Sequence, residues 1–220
     1  MSYYYDNKFI KHLDITNIKN IFEVGARYGD ESLILAELFK NSLIYSFECN
    51  PNTIEICKKK LENKINIKFI PYGLGNKNES LPFYSYMIDN NDGASSLLKR
   101  IDYEETQKQT GIINVKKLSD FVYENNIDKI DLLCMDVQGY ELNILKGAED
   151  FIKNIKYIIM EEPKEIINTN FLPENIHSKY INAPTSKEIK EFMIKNNFIE
   201  IERIEENYIE DNVMYKNILV

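Results

Sequence analysis

Residues 20–29 read Asn20-Ile21-Phe22-Glu23-Val24-Gly25-Ala26-Arg27-Tyr28-Gly29. The apolar start of this stretch predicts a buried strand from Asn20 to Gly25. Apolar residues then recur at helical spacing (Leu35, Leu38 and Phe39), which predicts a helix near residues 31–39. Glycines between a strand and a helix allow a sharp turn and let the backbone approach a ligand closely. The stretch is therefore interpreted as a strand–loop–helix unit, with either a ligand-binding loop or a plain turn at its glycines.

The rest of the chain repeats this alternation of short apolar strands and amphipathic helices. Further strands are predicted at residues 43–48, 65–70, 81–87, 112–115, 130–135 and 157–160, and helices at residues 51–61, 119–125, 140–152 and 185–196. Ser119 is predicted to cap one helix, and Thr185 with Glu188 to form a capping box. This order favours a doubly wound, mostly parallel α/β sheet. Residues 198–204 and 213–219 are expected to add a C-terminal antiparallel hairpin.

The domain organisation is expected to be simple. A chain of 220 residues favours one domain, so residues 1–220 are assigned to a single unit. Residues 1–19 form an N-terminal segment in this interpretation, and residues 77–111 and 163–184 are loops on the substrate side. Residues 94–110 are polar enough to predict a mobile segment.

Composition limits the classes of function. Lys and Arg number 27 against 35 Asp and Glu, a formal net charge of −8, which argues against nonspecific binding of DNA or RNA. The cysteines (Cys49, Cys57 and Cys134) form no CxxC pair, so we interpret them as core residues rather than as a disulfide framework or zinc cluster. No apolar run approaches the ~18 residues of a membrane helix, and the first residues lack a signal-peptide pattern. A cytoplasmic protein without a membrane partner is expected, and its oligomeric state stays undefined.

Glu48 ends the second predicted strand, 19 residues beyond Gly29. A dinucleotide fingerprint would need glycine where Arg27 and Asp30 stand, so the loop is a poor pyrophosphate cradle. A carboxylate at this strand end is able to accept hydrogen bonds from both ribose hydroxyls of an adenosine. The alternative is a solvated charge at the end of a strand. A glycine loop paired with Glu48 describes a nucleoside site without a phosphate grip, and S-adenosylmethionine fits that description.

Five motifs of the chain resemble, in order, those of the FkbM-like methyltransferase family. They are residues 23–29 (family pattern DVGANxG), 47–51 (FEPxP), 72–76 (ALGD), 93–97 (GxSSL) and 130–148 (IDLLKIDVEGxExxVLKGA). The resemblance spans about residues 20–163. It implies the class I (Rossmann-like) methyltransferase fold, S-adenosylmethionine as the cofactor, and O-methylation of a hydroxyl on a sugar or natural product.

The resemblance also implies which residues contact the cofactor. They are Glu23, Gly25, Ala26, Arg27, Gly29, Ser32, Glu48, Cys49, Asn50, Gly73, Leu74 and Asp136. The chain departs from the family pattern at three positions, where Glu23 stands for Asp, Arg27 for Asn and Gln138 for Glu. Glu23 keeps the carboxylate, and Arg27 is long enough to reach the methionine carboxylate of the cofactor. Gln138 cannot act as a base, so any role that the family gives to that acid is not transferred.

Methyl transfer to a hydroxyl requires alignment of the reactants and removal of a proton. Asp136 ends a strand beside the expected methyl group, and it either serves the reaction or caps the following helix. Glu161 and Glu162 end the next strand, and only one of them can face the cleft because neighbouring strand residues point to opposite sides. His177 in the 163–184 loop is a further candidate base, whereas His12 is predicted to lie on the surface. No metal is expected, although an acidic group (Asp136, Glu141, Glu161 and Glu162) has the chemistry to hold Mg²⁺.

The sequence thus predicts an S-adenosylmethionine-dependent O-methyltransferase that acts on a hydroxyl of a sugar, a glycan or a small metabolite. One alternative is a nucleic-acid ribose 2'-O-methyltransferase, which the charge of −8 disfavours. Another is a cofactor-binding module without enzymatic activity, which Gln138 favours. An NAD-dependent oxidoreductase is disfavoured by Arg27 and Asp30 in the first loop.

Overall fold

The computed structural model describes residues 4–88, 92–165, 178–207 and 209–220. The strands are β1 (Asn20–Val24), β2 (Leu43–Phe47), β3 (Ile67–Ile70), β4 (Gly73–Gly75), β5 (Glu79–Tyr86), β6 (Gln107–Lys117), β7 (Ile130–Met135), β8 (Ile155–Pro163), β9 (Phe198–Glu205) and β10 (Glu210–Asn217). The α-helices are α1 (Asn7–Ile10), α2 (Asp30–Leu38), α3 (Ile54–Leu61), α4 (Tyr103–Thr106), α5 (Leu118–Glu124), α6 (Glu141–Gly147) and α7 (Ser186–Lys195). Short 3₁₀ helices cover Asp92–Ala94 and Glu149–Asn154.

The main sheet has seven strands in the order β3-β2-β1-β7-β8-β10-β9. Its first five strands are parallel, and β10 pairs antiparallel with both β8 and β9. The chain runs outward from β1 to β3 and then returns to β7 on the other side of β1. Strand order therefore reverses between β1 and β7, which is where ligands bind in open parallel sheets. The predicted doubly wound sheet and its C-terminal antiparallel hairpin are confirmed.

The core consists of apolar layers on both faces of this sheet. Successive residues of one strand point into opposite layers, as Leu132 and Leu133 of β7 do. On one face, the rings of Phe22, Phe47 and Phe121 pack with centroids 5.0–5.6 Å apart. The other face buries Phe9, Leu35 and Phe39. The N-terminal segment thus contributes to the core through α1.

A second, three-stranded sheet in the order β4-β6-β5 occupies much of the segment that was predicted to be a loop on the substrate side. The prediction of a mobile segment at residues 94–110 is wrong, because α4 and the first part of β6 lie there. Phe83, Ile113 and Val115 form a small buried cluster that explains the order. Polar residues on the exposed side of β6 conceal this pattern in the sequence.

Several helix boundaries differ from the prediction. The helix predicted at residues 140–152 is split into α6 and a 3₁₀ helix, because Glu149 adopts a left-handed backbone conformation with φ of 49°. Ser119 does not cap its helix, since α5 begins at Leu118. The capping box of Thr185 and Glu188 at the start of α7 is confirmed. In the described part of the chain, none of the helices has the length and apolar character needed to cross a membrane.

Candidate functional site

A cavity of about 510 Å³ opens at the carboxyl ends of β1, β2, β7 and β8. The loop after β1 and the end of β2 form one side of it, and the loop at residues 92–97 forms another. The third side comes from the ends of β7 and β8, from residues 179–180 and from the β9–β10 turn. This position is the one that the reversal of strand order predicts for a ligand.

A glycine is required at position 25 because two loops cross there, beneath the cavity. Its φ is 95°, and a Cβ built there would lie 2.0 Å from the backbone oxygen of Asp136. A side chain at Gly25 would therefore not simply lie beside a ligand. The side chain would instead meet the backbone that follows β7.

Only some of the residues that were predicted to contact the cofactor from the first loop line the cavity. Gly25 and Arg27 line it, as expected, and Tyr28 lines it as well. Ala26 is fully buried against Cys57 and Leu61 and does not line the cavity. Gly29 is the N-cap of α2, with φ of 80°, and likewise lies outside the cavity wall. These two residues shape the loop and stand outside the cavity wall.

Glu23 and Ser32 form a buried polar network under the loop. The Ser32 hydroxyl donates to Glu23 and lies 2.7 Å from the Ser46 hydroxyl. Burial raises the pKa of Glu23 to about 8. Neither Glu23 nor Ser32 lines the cavity, so their predicted direct contact with the cofactor is wrong. The network instead joins β1, β2 and α2, and hydrogen bonds compensate the burial of Glu23.

Glu48 follows β2, with 6% of its surface exposed, and lines the cavity. The backbone N–H of Arg27 donates to its Oε2 at 2.5 Å, and that of Asn50 donates to its Oε1 at 2.5 Å. Burial raises the pKa of Glu48 to about 7, against the lowering effect of these hydrogen bonds. Hydrogen bonds from the Thr53 side chain and the Cys49 backbone also lower this pKa. The arrangement fixes one carboxylate at the strand end, in the wall of the cavity.

The remaining predicted contacts on this side of the cavity all line it: Cys49, Asn50, Gly73 and Leu74. Phe47, Tyr72 and Phe83 add aromatic surface. Burial raises the pKa of the Cys49 thiol well above its usual range, which disfavours the nucleophilic thiolate. These residues add apolar surface beside the polar side chains of Arg27, Glu48 and Asn50.

Gln138 joins the two carboxylates at the other side of the cavity. Its Nε2 donates to Asp136 Oδ1 at 2.7 Å and to Glu161 Oε2 at 2.9 Å. Its Oε1 accepts a hydrogen bond from the Tyr180 hydroxyl at 2.7 Å. Left-handed conformations at Gln138 and Gly139, with φ of 55° and 93°, turn the chain so that this side chain reaches back to Asp136. An amide supplies two donors to two carboxylates, which a glutamate at this position would not do.

Glu161 faces the cavity, whereas Glu162 does not. Glu162 is fully buried on the opposite side of β8, where Ser186 Oγ donates at 2.6 Å, Arg203 Nη2 donates at 3.0 Å and the Tyr215 hydroxyl also donates. The candidacy of Glu162 as a base is therefore wrong. Burial and the charge of Asp136 raise the pKa of Glu161 well above its usual range.

Asp136 lines the cavity but does not cap the following helix. The N-cap of α6 is Tyr140, and no side chain caps it. Glu141 instead accepts hydrogen bonds from the backbone N–H groups of Val137 and Gly139 at 3.1 and 3.3 Å. Burial raises the pKa of Glu141 to about 7. Glu141 thus supports the loop that presents Asp136 and Gln138.

Several cavity residues were not predicted from the sequence: Arg100, Lys179, Tyr180, Glu206 and Glu210. Lys179 and Tyr180 lie in the 163–184 segment that was predicted to be a loop, and Arg100 lies in the segment that was predicted to be mobile. Glu206 and Glu210 flank the β9–β10 turn, which no motif marks. The one feature of the sequence that could have indicated them is the acidic composition of this turn, which follows an edge strand of the sheet.

Neither histidine belongs to the described wall of the cavity. His12 lies outside the cavity wall, and its Nε2 is 3.2 Å from Glu202 Oε2. His177 lies outside the described residues. Among the residues that the structure describes, no group of three His, Cys, Asp or Glu side chains is arranged to hold a metal ion.

Sequence comparison finds methyltransferases. A "Methyltransferase 1" of Beauveria bassiana is 29% identical over 147 residues, which cover 59% of this chain and 58% of that protein. The "2-O-methyltransferase NoeI" of Sinorhizobium fredii is 21% identical over 168 residues, which cover 70% and 67%. The "Hexuronic acid methyltransferase AglP" of Haloferax volcanii is 21% identical over 182 residues, which cover 81% and 68%. The chain thus spans well under two thirds of the Beauveria protein and about two thirds of the other two.

Solved structures share the fold at low sequence identity. A methyltransferase FkbM from Methylobacillus flagellatus matches with a TM-score of 0.59 and 13% identity, over 98% of this chain and 48% of that one. A SAM-dependent methyltransferase from Aquifex aeolicus matches with a TM-score of 0.52 and 11% identity, over 96% and 88%. The family model described as "Methyltransferase FkbM domain" matches residues 23–200, which include every part of the cavity wall described above except the β9–β10 turn. This chain belongs to the FkbM methyltransferase family.

Proposed function

We propose that this chain is an S-adenosylmethionine-dependent O-methyltransferase that acts on a hydroxyl of a sugar, a glycan or a small metabolite. The observation that carries the proposal is the buried carboxylate of Glu48 in the wall of a cavity that also contains Asp136 and Glu161. Membership of the family supports the reaction. The names of the Sinorhizobium and Haloferax relatives support a hydroxyl-bearing or sugar acid acceptor.

The residues on the β1–β2 side of the cavity fit S-adenosylmethionine. Glu48 is held in place by backbone N–H donors, and its carboxylate is the acceptor that we assign to the ribose hydroxyls. The aromatic surface of Phe47 and Tyr72 suits a purine ring. Arg27 supplies a cation for the methionine carboxylate. The loop lacks the glycines of a pyrophosphate cradle, so the fit is to a nucleoside and not to NAD.

The carboxylates on the other side of the cavity suit proton removal. When bound, S-adenosylmethionine supplies an electrophilic methyl group, so the protein has to align the acceptor hydroxyl and take its proton. Glu161 is assigned as the base, because its raised pKa makes its carboxylate more basic than an exposed one. Gln138 orients that carboxylate through its hydrogen bond. Asp136 is assigned to orient the acceptor hydroxyl or the amino group of the cofactor.

The charge of the cavity disfavours a polynucleotide acceptor. Asp136, Glu161, Glu206 and Glu210 line the acceptor side, and the whole chain carries a formal net charge of −8. A nucleic acid would bring phosphates toward these carboxylates, whereas nucleic-acid enzymes depend on Lys and Arg facing the backbone. A small or glycan acceptor avoids that repulsion.

Calorimetry and a turnover assay test the two parts of this proposal. We expect S-adenosylhomocysteine, the demethylated product, to bind the purified protein, and NAD to bind far more weakly. The turnover assay follows release of S-adenosylhomocysteine from S-adenosylmethionine in the presence of a panel of sugars and small hydroxyl compounds. Absence of S-adenosylhomocysteine binding contradicts the cofactor assignment. Binding without transfer to any acceptor supports a cofactor-binding module instead.

A further inference from the structure

We propose that Tyr180 is a positioning residue for Glu161 and acts on it through the amide of Gln138. This inference rests on the proposed function, which assigns Glu161 as the base. It is carried by a chain of hydrogen bonds that runs from the Tyr180 phenol, through the loop after β7, to the end of β8.

The amide of Gln138 has a partner for each of its polar atoms. Its Nε2 donates to Asp136 Oδ1 at 2.7 Å and to Glu161 Oε2 at 2.9 Å. Its Oε1 accepts from the Tyr180 hydroxyl at 2.7 Å. If the amide were turned over, its oxygen would face two carboxylates and its nitrogen would face the phenol. Tyr180 therefore supplies the donor that holds the carbonyl end in place and leaves the N–H groups to the carboxylates.

The hydroxyl of Tyr180 suits this task because it keeps its proton. Burial raises the pKa of Tyr180 above its ordinary value. The hydroxyl also lies 3.0 Å from the backbone oxygen of Ala94, and the distance to Gln138 is the shorter one. A hydroxyl has one proton to donate, and giving it to Ala94 would leave Gln138 Oε1 facing an oxygen lone pair. We therefore assign the proton to the hydrogen bond with Gln138.

The ring of Tyr180 is fixed by contacts of its own. It is buried, and the guanidinium of Arg100 lies over it, 5.6 Å from the ring centroid. Arg100 is held in turn by Asp102, to which its Nε and Nη2 donate at 2.8 and 2.9 Å. Residues 99–101 and 179–181 are joined by two backbone hydrogen bonds, of 2.7 and 2.9 Å. The phenol thus reaches the amide from an anchored segment.

The surroundings of Glu161 give the amide N–H its consequence. Burial raises the pKa of Glu161, and so do the charges of four neighbouring carboxylates: Asp136, Glu210, Glu206 and Glu141. The cations that share the cavity wall are Arg100 and Lys179. The N–H of Gln138 opposes the rise, because a hydrogen bond donated to a carboxylate favours its ionised form. A base has to be ionised to take a proton, so fixing this N–H supports proton removal by Glu161.

The test follows the ionisation of Glu161 in the full chain without cofactor. Protein labelled with ¹³C at the glutamate carboxyls is titrated by NMR, and the Glu161 signal is assigned by its loss in Glu161→Gln. Gln138→Leu should raise the pKa of Glu161 by about one pH unit, the scale of one hydrogen bond to a charged group. Tyr180→Phe keeps the ring over which Arg100 lies, and it should raise the same pKa by about half a pH unit.

Tyr86→Phe is the matched control. Arg100 also lies over the Tyr86 ring, 5.0 Å from its centroid, but Tyr86 is outside the cavity wall, so the titration of Glu161 should not change. Tyr180→Phe in the Gln138→Leu background should add no further shift, because the phenol acts through the amide. The inference is overturned if Tyr180→Phe shifts the titration no more than the control does, or if its shift persists in the double variant.

Turnover gives a second readout that separates this inference from the proposed function. With an acceptor that the wild-type protein methylates, the acid limb of the kcat/KM profile should move to higher pH in Tyr180→Phe, while the affinity for S-adenosylhomocysteine stays the same. An unmoved limb contradicts the positioning role. Failure of the wild-type protein to methylate any acceptor overturns the proposed function, whereas the NMR titration still decides whether Tyr180 acts on Glu161.

Discussion

A Cβ atom on Gly25 would lie 2.0 Å from the backbone oxygen of Asp136. At this point the loop that follows β1 and the loop that follows β7 therefore meet main chain to main chain. Backbone contact of this kind fixes the spacing between Glu48 on one side of the cavity and Asp136 on the other. The glycine that seemed to serve the ligand serves the framework of the site.

Gly25→Ala should destabilise the whole fold. The added methyl meets a main-chain carbonyl, and φ of 95° is unfavourable for any residue with a side chain. We expect a loss of at least about 2 kcal/mol in the free energy of unfolding, measured by urea denaturation. Gly111→Ala is the matched control, because a Cβ there meets only Pro51 Cγ at 3.3 Å. Equal stability of the two variants would show that the crossing of the loops tolerates a side chain.

Glu48→Gln should weaken the binding of S-adenosylhomocysteine. The amide keeps the size of the side chain, but it loses one acceptor oxygen and points N–H groups toward the backbone donors of Arg27 or Asn50. A charged hydrogen bond contributes ~1.5–3 kcal/mol, so a loss of about 10- to 100-fold in affinity is expected by calorimetry. Glu55→Gln, at an exposed position of α3, should bind normally. Unchanged affinity in a folded Glu48→Gln protein would place the ribose elsewhere.

The same affinity should depend on pH through Glu48. Burial raises the pKa of this carboxyl to about 7, and the protonated form loses acceptor capacity. Binding of S-adenosylhomocysteine should therefore weaken as the pH falls from 8 to 6. The dependence should be smaller in Glu48→Gln, which has no carboxyl to protonate. Identical pH profiles for the two proteins would show that other groups cause the change.

The sequence predicted the fold where local pattern and tertiary packing agree. The bounds of β7 match the prediction because every residue from Ile130 to Met135 is buried, so an apolar run marks it fully. The prediction covered only residues 112–115 of β6, since exposed polar residues in the first half of the strand carry no apolar pattern. Short apolar patterns in a small sheet are therefore easily interpreted as loops.

The site was predictable where its residues follow strands in recognisable motifs. Glu48 and Asp136 line the cavity as expected, because strand ends converge at the reversal of strand order. Glu23 was misplaced, since alternation along β1 turns its side chain into the protein beneath the loop. Glu206 and Glu210 could not be predicted, because they reach the cavity only through the pairing of β10 with β8. That pairing joins segments about 50 residues apart in the sequence.

Glu23→Gln should increase stability more at pH 8 than at pH 5. Burial raises the pKa of Glu23 to about 8 in the folded protein, against 4.5 in the unfolded chain. The folded state thus binds the extra proton between these values, and its stability falls as the pH rises through that window. Glutamine removes this linkage and keeps a hydrogen bond to Ser32. The gain is measured as the difference between variant and wild type in urea denaturation at each pH. The same gain at both values would mean that Glu23 is ionised in the folded state throughout.

Glu161→Gln and Glu162→Gln should separate catalysis from stability, although the two residues are neighbours on β8. Glu161 faces the cavity, so its variant should fold normally and lose turnover by ~10²–10⁴. Glu162 is fully buried among Ser186, Arg203 and Tyr215, so its variant should lose about 1–3 kcal/mol in the free energy of unfolding. Turnover is followed as release of S-adenosylhomocysteine in the presence of an acceptor that the wild-type protein methylates. The temperature is one at which both variants are folded. Asp136→Asn, measured beside them, tests the other cavity carboxylate and should also weaken cofactor binding if it holds the amino group. Near-normal turnover of Glu161→Gln would remove it as the base, and the same loss in folded Glu162→Gln would contradict the assignment of faces.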